Sequence, residues 1–197
     1  MTFLQELNSY RVPKAKPTSP PPAVGSKAPS LDGLRMPSPD KRPTIVTFLR
    51  HCGCPFAEKT FRLLSAKAAA TPGIRFVAVS HSDQAATDGW LTAIGGADSQ
   101  VQVVVDAERE LFAAWGLGLS SLGDWLSPRT LSAVYRLGKS EGIWNRPTES
   151  GSRWQKAGSF GVDGEGIVKW GVVSKGADEI GDFEEAVRAL DAASARL

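Results

Sequence analysis

From Thr44 onward, short apolar runs alternate with stretches of helical period. The apolar segments are TIVTFLR (44–50), IRFVAVS (74–80) and VQVVVD (101–106). Each is followed by an amphipathic run, CPFAEKTFRLLSAKAAA (54–70), DQAATDGWLTAI (83–94) and AERELFAAWG (107–116). Near-continuous Val and Ile runs separated by helices predict right-handed βαβ crossovers and a sheet buried on both faces. The end of the chain differs. GSFGVD and GIVKWGVV flank a tight Gly164–Glu165–Gly166 turn and predict an antiparallel hairpin, and DFEEAVRALDAASARL predicts a closing helix capped by Asp182.

In the first long helix, Ala57, Phe61, Leu64 and Ala68 share one face, while Glu58 and Arg62 form an i,i+4 pair on another. Before the alternation begins the pattern is lost. Nine of the 13 prolines fall in the first 43 residues, and VPKAKPTSPPPAVGSKAP carries no apolar period. Residues 1–23 are therefore expected to form a short helix around TFLQELNSY, packed back on the domain, and an extended Pro-rich arm; residues 24–197 form one domain. GLGLSSLGDWLSPRTLSAVYRLGKSEG is an insertion ahead of the hairpin, with Leu131, Val134 and Tyr135 as its expected apolar face, suited to a lid or a dimer contact.

Composition narrows the functional classes. Lysine and arginine number 23 against 21 acidic residues, scattered along the chain, so a nucleic-acid partner is not expected. No apolar run approaches the ~20 residues of a membrane span, and MTFLQELNSYRVPK does not read as a secretory signal, so a cytoplasmic setting is expected. There, thiols stay reduced unless they cycle. The histidines and cysteines lack the separated spacing of a four-ligand metal site, no Gly-rich phosphate loop is present, and no cofactor is expected.

Candidate chemistry concentrates at RHCGCPFAE, which holds both cysteines at a strand-to-helix corner. Pro55 suits the first helical position, which makes Cys54 the cap residue, its sulfur facing the positive end of the helix dipole, a setting that favours thiolate. Arg50 and Lys59 add to that field. Cys52 has two readings: a thiol that resolves an oxidised Cys54 through a strained small ring, or a core residue that never reacts. A second constellation lies in GIWNRPTESGSRWQKAGSF, a long loop rich in tryptophan and arginine. Trp144, Arg146, Arg153 and Trp154 are candidates for a substrate pocket over Cys54; the competing reading seals the sheet edge with the tryptophans and pairs the arginines with Glu141 and Glu149. His81, after the second strand, reads as a helix-start cap.

The order of elements is the thioredoxin-like layout: a central mixed sheet with helices on both faces and a helical insertion before the C-terminal hairpin. Three segments carry a closer likeness. AVGSKAPSLD, TIVTFLRHCGCPFAE and AGSFGVDGEGIVKWGVVSKGADEIGDFEEAVRAL resemble the opening segment, cysteine corner and C-terminal hairpin with helix of peroxiredoxins, and most closely the divergent alkyl hydroperoxide reductase/thiol-specific antioxidant branch. The resemblance implies that Cys54 attacks the peroxide O–O bond and becomes a sulfenic acid. It also marks departures. The family's proline and threonine positions before the cysteine are Thr47 and His51, and its arginine position before the hairpin is Ala157, with Arg153 and Lys156 beside it. His51 is then a candidate donor or base, and Thr47 and Arg50 join the candidate substrate-binding residues. The implied function is a thiol-dependent peroxidase or related oxidoreductase acting on a small peroxide or organic substrate, with glutathione or thioredoxin as reductant and a homodimer as one assembly. Two other readings stand beside it: a thioredoxin-fold enzyme of small-molecule metabolism using the Trp/Arg pocket, and a non-catalytic binding or redox-sensing protein.

Overall fold

The computed structural model describes residues 9–121 and 128–194. Five strands form one sheet in the order β3-β2-β1-β4-β5. β1 (Thr44–Phe48) lies at its centre, parallel to β2 (Arg75–Ser80) and antiparallel to β4 (Gly158–Val162). β3 (Gln102–Val105) extends the parallel half, and β5 (Val168–Val173) closes the hairpin with β4. All five residues of β1 are buried, as a central strand covered on both faces requires. Side chains along β1 and the residue after it alternate between two cores. Ile45 and Leu49 join the layer with helix α1 (Pro55–Ala70), and Val46 and Phe48 join a second layer with Phe112, Trp115 and Phe160.

The expected face of α1 is the one buried, with Ala57, Phe61, Leu64 and Ala68 at 3% exposure or less. Helix α2 (Gln84–Ala93) follows β2, and its cap is Asp83, whose carboxylate accepts from the Ala86 N–H at 2.8 Å; His81 does not cap it. The short α3 (Glu110–Ala114) begins on the Asp106 carboxylate, which accepts from the Glu110 and Phe112 N–H groups. At the C-terminal helix α5 (Phe183–Ser194), Asp182 accepts from the N–H groups of Glu184 and Glu185, as predicted.

The insertion carries helix α4 (Pro128–Glu141), but its inner face is not the expected one. Thr130 and Leu137 are buried and Ala133 and Val134 pack beside them, whereas Leu131 and Tyr135 are 62% and 59% exposed. Only Val134 of the expected trio faces the core, because the stripe of Thr130, Ala133, Val134 and Leu137 is the one packed inward; Leu131 and Tyr135 share the outer stripe with Gly138, where the half-exposed Trp144 indole lies.

The arm is extended and lies against the domain. Ser19 donates its N–H to the Ala113 carbonyl, Arg109 reaches the Lys14 carbonyl, and Lys16 pairs with Glu110. The helix expected around residues 2–10 falls almost wholly outside the described residues. No helix among the described residues is long and apolar enough to cross a membrane.

Candidate functional site at the cysteine corner

The corner is held by backbone geometry. Gly53 has φ +112°, and its carbonyl accepts from the Arg146 N–H at 2.9 Å. A Cβ there would meet the Arg146 and Pro147 carbonyl oxygens at 2.9 Å, so the 146–148 segment sits directly on the corner. Cys54 is the extended cap residue of α1 (φ −74°, ψ 128°), with Pro55 beginning the helix. Its N–H donates to the His51 carbonyl and its carbonyl accepts from Ala57 and Glu58, while its side chain makes no capping bond. Both thiols are free and 5% exposed.

Cys52 occupies different surroundings. Its Sγ lies 3.6 Å from the Ser80 hydroxyl and 3.9 Å from that of Thr87, and its N–H donates to the Ser82 hydroxyl. Burial pushes the thiol up, and the Ser82, Ser80 and Thr87 contacts offset only part of that. It also lines a cavity of about 240 Å3, walled by Ala86, Gly89, Trp90 and Ala93 of α2 and by Arg146, Pro147 and Glu149.

On the opposite side of the corner, a narrow cavity of about 20 Å3 runs beneath the first turn of α1. Thr47, Arg50, Phe56, Ala57 and Ser159 are among its walls. The Thr47 hydroxyl and the Arg50 Nε are buried there without a hydrogen-bond partner, while the Arg50 Nη2 donates to the Arg153 carbonyl at 2.7 Å. Space on the scale of a water molecule, lined by unmet polar groups, suits a very small polar ligand.

The histidines stay neutral. His51 is 2% exposed, its ring nitrogens have no partner, and burial, followed by the Arg50 and Arg153 charges, holds it well below the usual histidine range. His81 bonds the Ser152 carbonyl through Nε2, stacks edge-on to Phe112, and is pushed down to about 4 chiefly by burial.

The four residues of the expected Trp/Arg pocket have separate settings. Arg146 lines the Cys52 cavity, with its Nε on the Glu58 carboxylate at 2.8 Å. Arg153 is buried, bonded to the hydroxyls of Ser9 and Thr148, and stacked on the Tyr10 ring at 4.4 Å. Trp154 is buried with its indole N–H on the Tyr10 carbonyl, and Trp144 is 48% exposed beside Tyr135. The alternative pairings with Glu141 and Glu149 do not form: Glu141 pairs with Lys59, and Glu58 takes Arg146 together with Arg62.

No local sequence rule marks Ser80, Thr87 and Trp90 as the neighbours of Cys52, or Glu58 as buried. The small residues Ala86, Gly89 and Ala93, three and four apart on α2, are the signal from which the cavity was readable.

Comparison with solved structures agrees with this architecture. A peroxiredoxin-like protein from Aquifex aeolicus superposes with a TM-score of 0.60 at 14% identity, over 89% of this chain and 90% of that one. A cysteine-to-serine mutant of peroxiredoxin 6 from Arenicola marina gives 0.59 at 13% identity, over 87% and 73%. A thiol peroxidase from Chromobacterium violaceum gives 0.55 at 11% identity, over 91% and 92%. At such identities the likeness is one of fold. No curated protein matches the chain in sequence. A family profile, AhpC/TSA antioxidant enzyme, matches residues 62–176, a span that begins beyond both cysteines and takes in β2 through β5. With more than half of its length matched and the thioredoxin-like sheet in place, the chain belongs to the AhpC/TSA antioxidant enzyme family.

Proposed function

We propose that the protein is a thiol-dependent peroxidase with Cys54 as its reacting residue. The observation that carries this reading is the seat of Cys54: the cap position of a 16-residue helix, with its side chain uncommitted to any capping bond. Unpaired N–H groups and the dipole at such an end stabilise negative charge on a nearby atom. In the reaction the Cys54 sulfur attacks one peroxide oxygen, the O–O bond breaks, and the departing oxygen takes a proton to leave as water or an alcohol. Cys54 becomes a sulfenic acid. Thr47 and Arg50 carry unmet donors in the cavity of about 20 Å3 under the first turn of α1, whose walls include Phe56 and Ala57 but not Cys54 itself, and orienting the peroxide is the task assigned to them. His51, buried and neutral, stays available as an acceptor. Cys52 then attacks the sulfenic sulfur, releasing water and forming a Cys52–Cys54 disulfide that an external thiol reduces.

The test is turnover of hydrogen peroxide and an organic hydroperoxide with a thiol reductant. Activity should vanish in Cys54→Ser and fall without vanishing in Cys52→Ser. Full turnover in Cys54→Ser, or none in the wild type with either peroxide, would remove the reading in favour of an enzyme that binds a small organic substrate in the cavity at Cys52.

A further inference from the structure

We propose that the cavity beside Cys52 is the docking site of the reductant, a small thiol of the α-amino-acid type. Its carboxylate pairs with Arg146, its ammonium group with Glu149, and its sulfur meets Cys52. The inference rests on the peroxidase reading and adds the identity and route of the electron donor.

Three observations carry it. The cavity presents one cation and one anion. The Arg146 Nε is fixed on Glu58, which leaves its two terminal nitrogens without a partner among the described residues, and the exposed Glu149 carboxylate has none either. A ligand carrying both charges satisfies both groups. The shape is restrictive: small side chains on α2 open about 240 Å3 against the Trp90 ring, enough for a small metabolite. Access is selective as well. Cys52 is 5% exposed and lines the cavity, so a small thiol occupying it reaches the sulfur with less rearrangement than another protein's active site would need.

The electrons balance through named bonds. The reductant thiolate bonds to the Cys52 sulfur, the Cys52–Cys54 bond breaks, and the electron pair leaves on Cys54 at the α1 N-terminus. A second thiol bonds to the sulfur of the first, Cys52 departs and takes up a proton, and the products are a symmetrical small disulfide and two protein thiols.

The experiment begins with protein oxidised by one equivalent of hydrogen peroxide, scored by loss of two thiols. Re-reduction is then timed with L-cysteine, 3-mercaptopropionate, cysteamine and 2-mercaptoethanol, and each rate per thiolate is divided by that thiol's rate with a small reference disulfide, so that intrinsic nucleophilicity cancels. L-Cysteine should be about tenfold faster than 2-mercaptoethanol, with the singly charged thiols between, since a charged hydrogen bond is worth roughly that factor. In Arg146→Gln the advantage of the carboxylate-bearing thiols should collapse, and in Glu149→Gln that of the ammonium-bearing thiols. The second variant decides the matter should the first fail to fold, because Arg146 also braces Glu58. Equal rates for all four thiols, ratios unchanged in the variants, or a trapped adduct on Cys54 instead of Cys52 would overturn the inference. Should peroxide oxidise neither thiol, the peroxidase reading fails by itself, and calorimetry of S-methyl-L-cysteine with the reduced protein decides the cavity: binding weakened at least fivefold by Glu149→Gln supports it, and no binding overturns it.

Discussion

Replacing Glu58 by glutamine tests how the helix carrying the cysteine corner is tied to the segment that covers it. The Glu58 side chain is 2% exposed and accepts three charge-assisted bonds, from Arg62 Nε (3.1 Å), Arg62 Nη2 (2.7 Å) and Arg146 Nε (2.8 Å). Both arginines are 40% or more exposed, so their charges stay hydrated when the carboxylate is lost, and the loss falls short of the ~3–5 kcal/mol of a fully buried broken pair. Bonds to charged groups are worth about 1.5–3 kcal/mol each when buried, and glutamine keeps the shape and part of the bonding. A destabilisation of about 2 kcal/mol at pH 7 is the expected net. Burial works to raise the Glu58 carboxyl, but the Arg146 and Arg62 bonds outweigh it and hold the group below its ordinary value. A depressed carboxyl contributes its stabilisation in full above the unfolded value of ~4.3, and the contribution is lost as pH falls through the folded value. The measurement is urea denaturation of both proteins from pH 7 to pH 3. The gap between wild type and Glu58→Gln should be constant down to about pH 4.5 and close below it. A gap under ~0.5 kcal/mol at pH 7, or one that persists undiminished at pH 3, would refute the reasoning.

Further predictions follow from the same corner. His81 is pushed down to about 4 in the fold, so the unfolded chain binds more protons between that value and ~6.5. Stability should therefore fall by about 3 kcal/mol from this group as pH drops across the interval, at ~1.4 kcal/mol per unit, and His81→Gln should flatten the slope of denaturation free energy against pH; an unchanged slope would sink the assignment. Gly53→Ala places a Cβ at φ +112° against two carbonyl oxygens, so thermal unfolding should show a loss of about 2–4 kcal/mol, and a neutral outcome would mean the 146–148 segment does not press on the corner. Thr47→Val removes a buried, unmet hydroxyl without changing volume; denaturation should show equal or up to ~1 kcal/mol greater stability while kcat/KM for hydrogen peroxide falls. Unaltered peroxide kinetics in that variant would take Thr47 out of the site.

The elements were legible in the sequence wherever a local rule fixed them. The five apolar segments became the five strands, Pro55 set the start of α1, and Asp182 capped α5, because strand burial, proline geometry and capping act over a few residues. The loop from 142 to 157 was not legible in this way. Arg153 and Trp154 are placed by Ser9 and Tyr10, 144 residues away in sequence, and no periodicity encodes such a pairing. The face of α4 escapes a local rule for a related reason. Leu131, Val134 and Tyr135 satisfy the helical period, but so do Thr130, Ala133, Val134 and Leu137, and only packing against the rest of the domain selects the second stripe. At the corner, the positions of both cysteines were plain from the sequence. The cavity at Cys52 depends on α2 side chains that become neighbours only when β2 lies beside β1.

The position of β1 in the sheet has a consequence for biosynthesis. Its parallel neighbour β2 leaves the ribosome soon after it, but its antiparallel neighbour β4 begins only at Gly158. Throughout that interval the TIVTF strand exposes a full row of unpaired N–H and C=O groups flanked by apolar side chains, the form of edge that recruits other chains. A nascent or truncated chain ending before the hairpin is therefore a substrate for chaperones or a seed for aggregation, and the segment from Gly158 onward acts as the chain's own guard for its central strand.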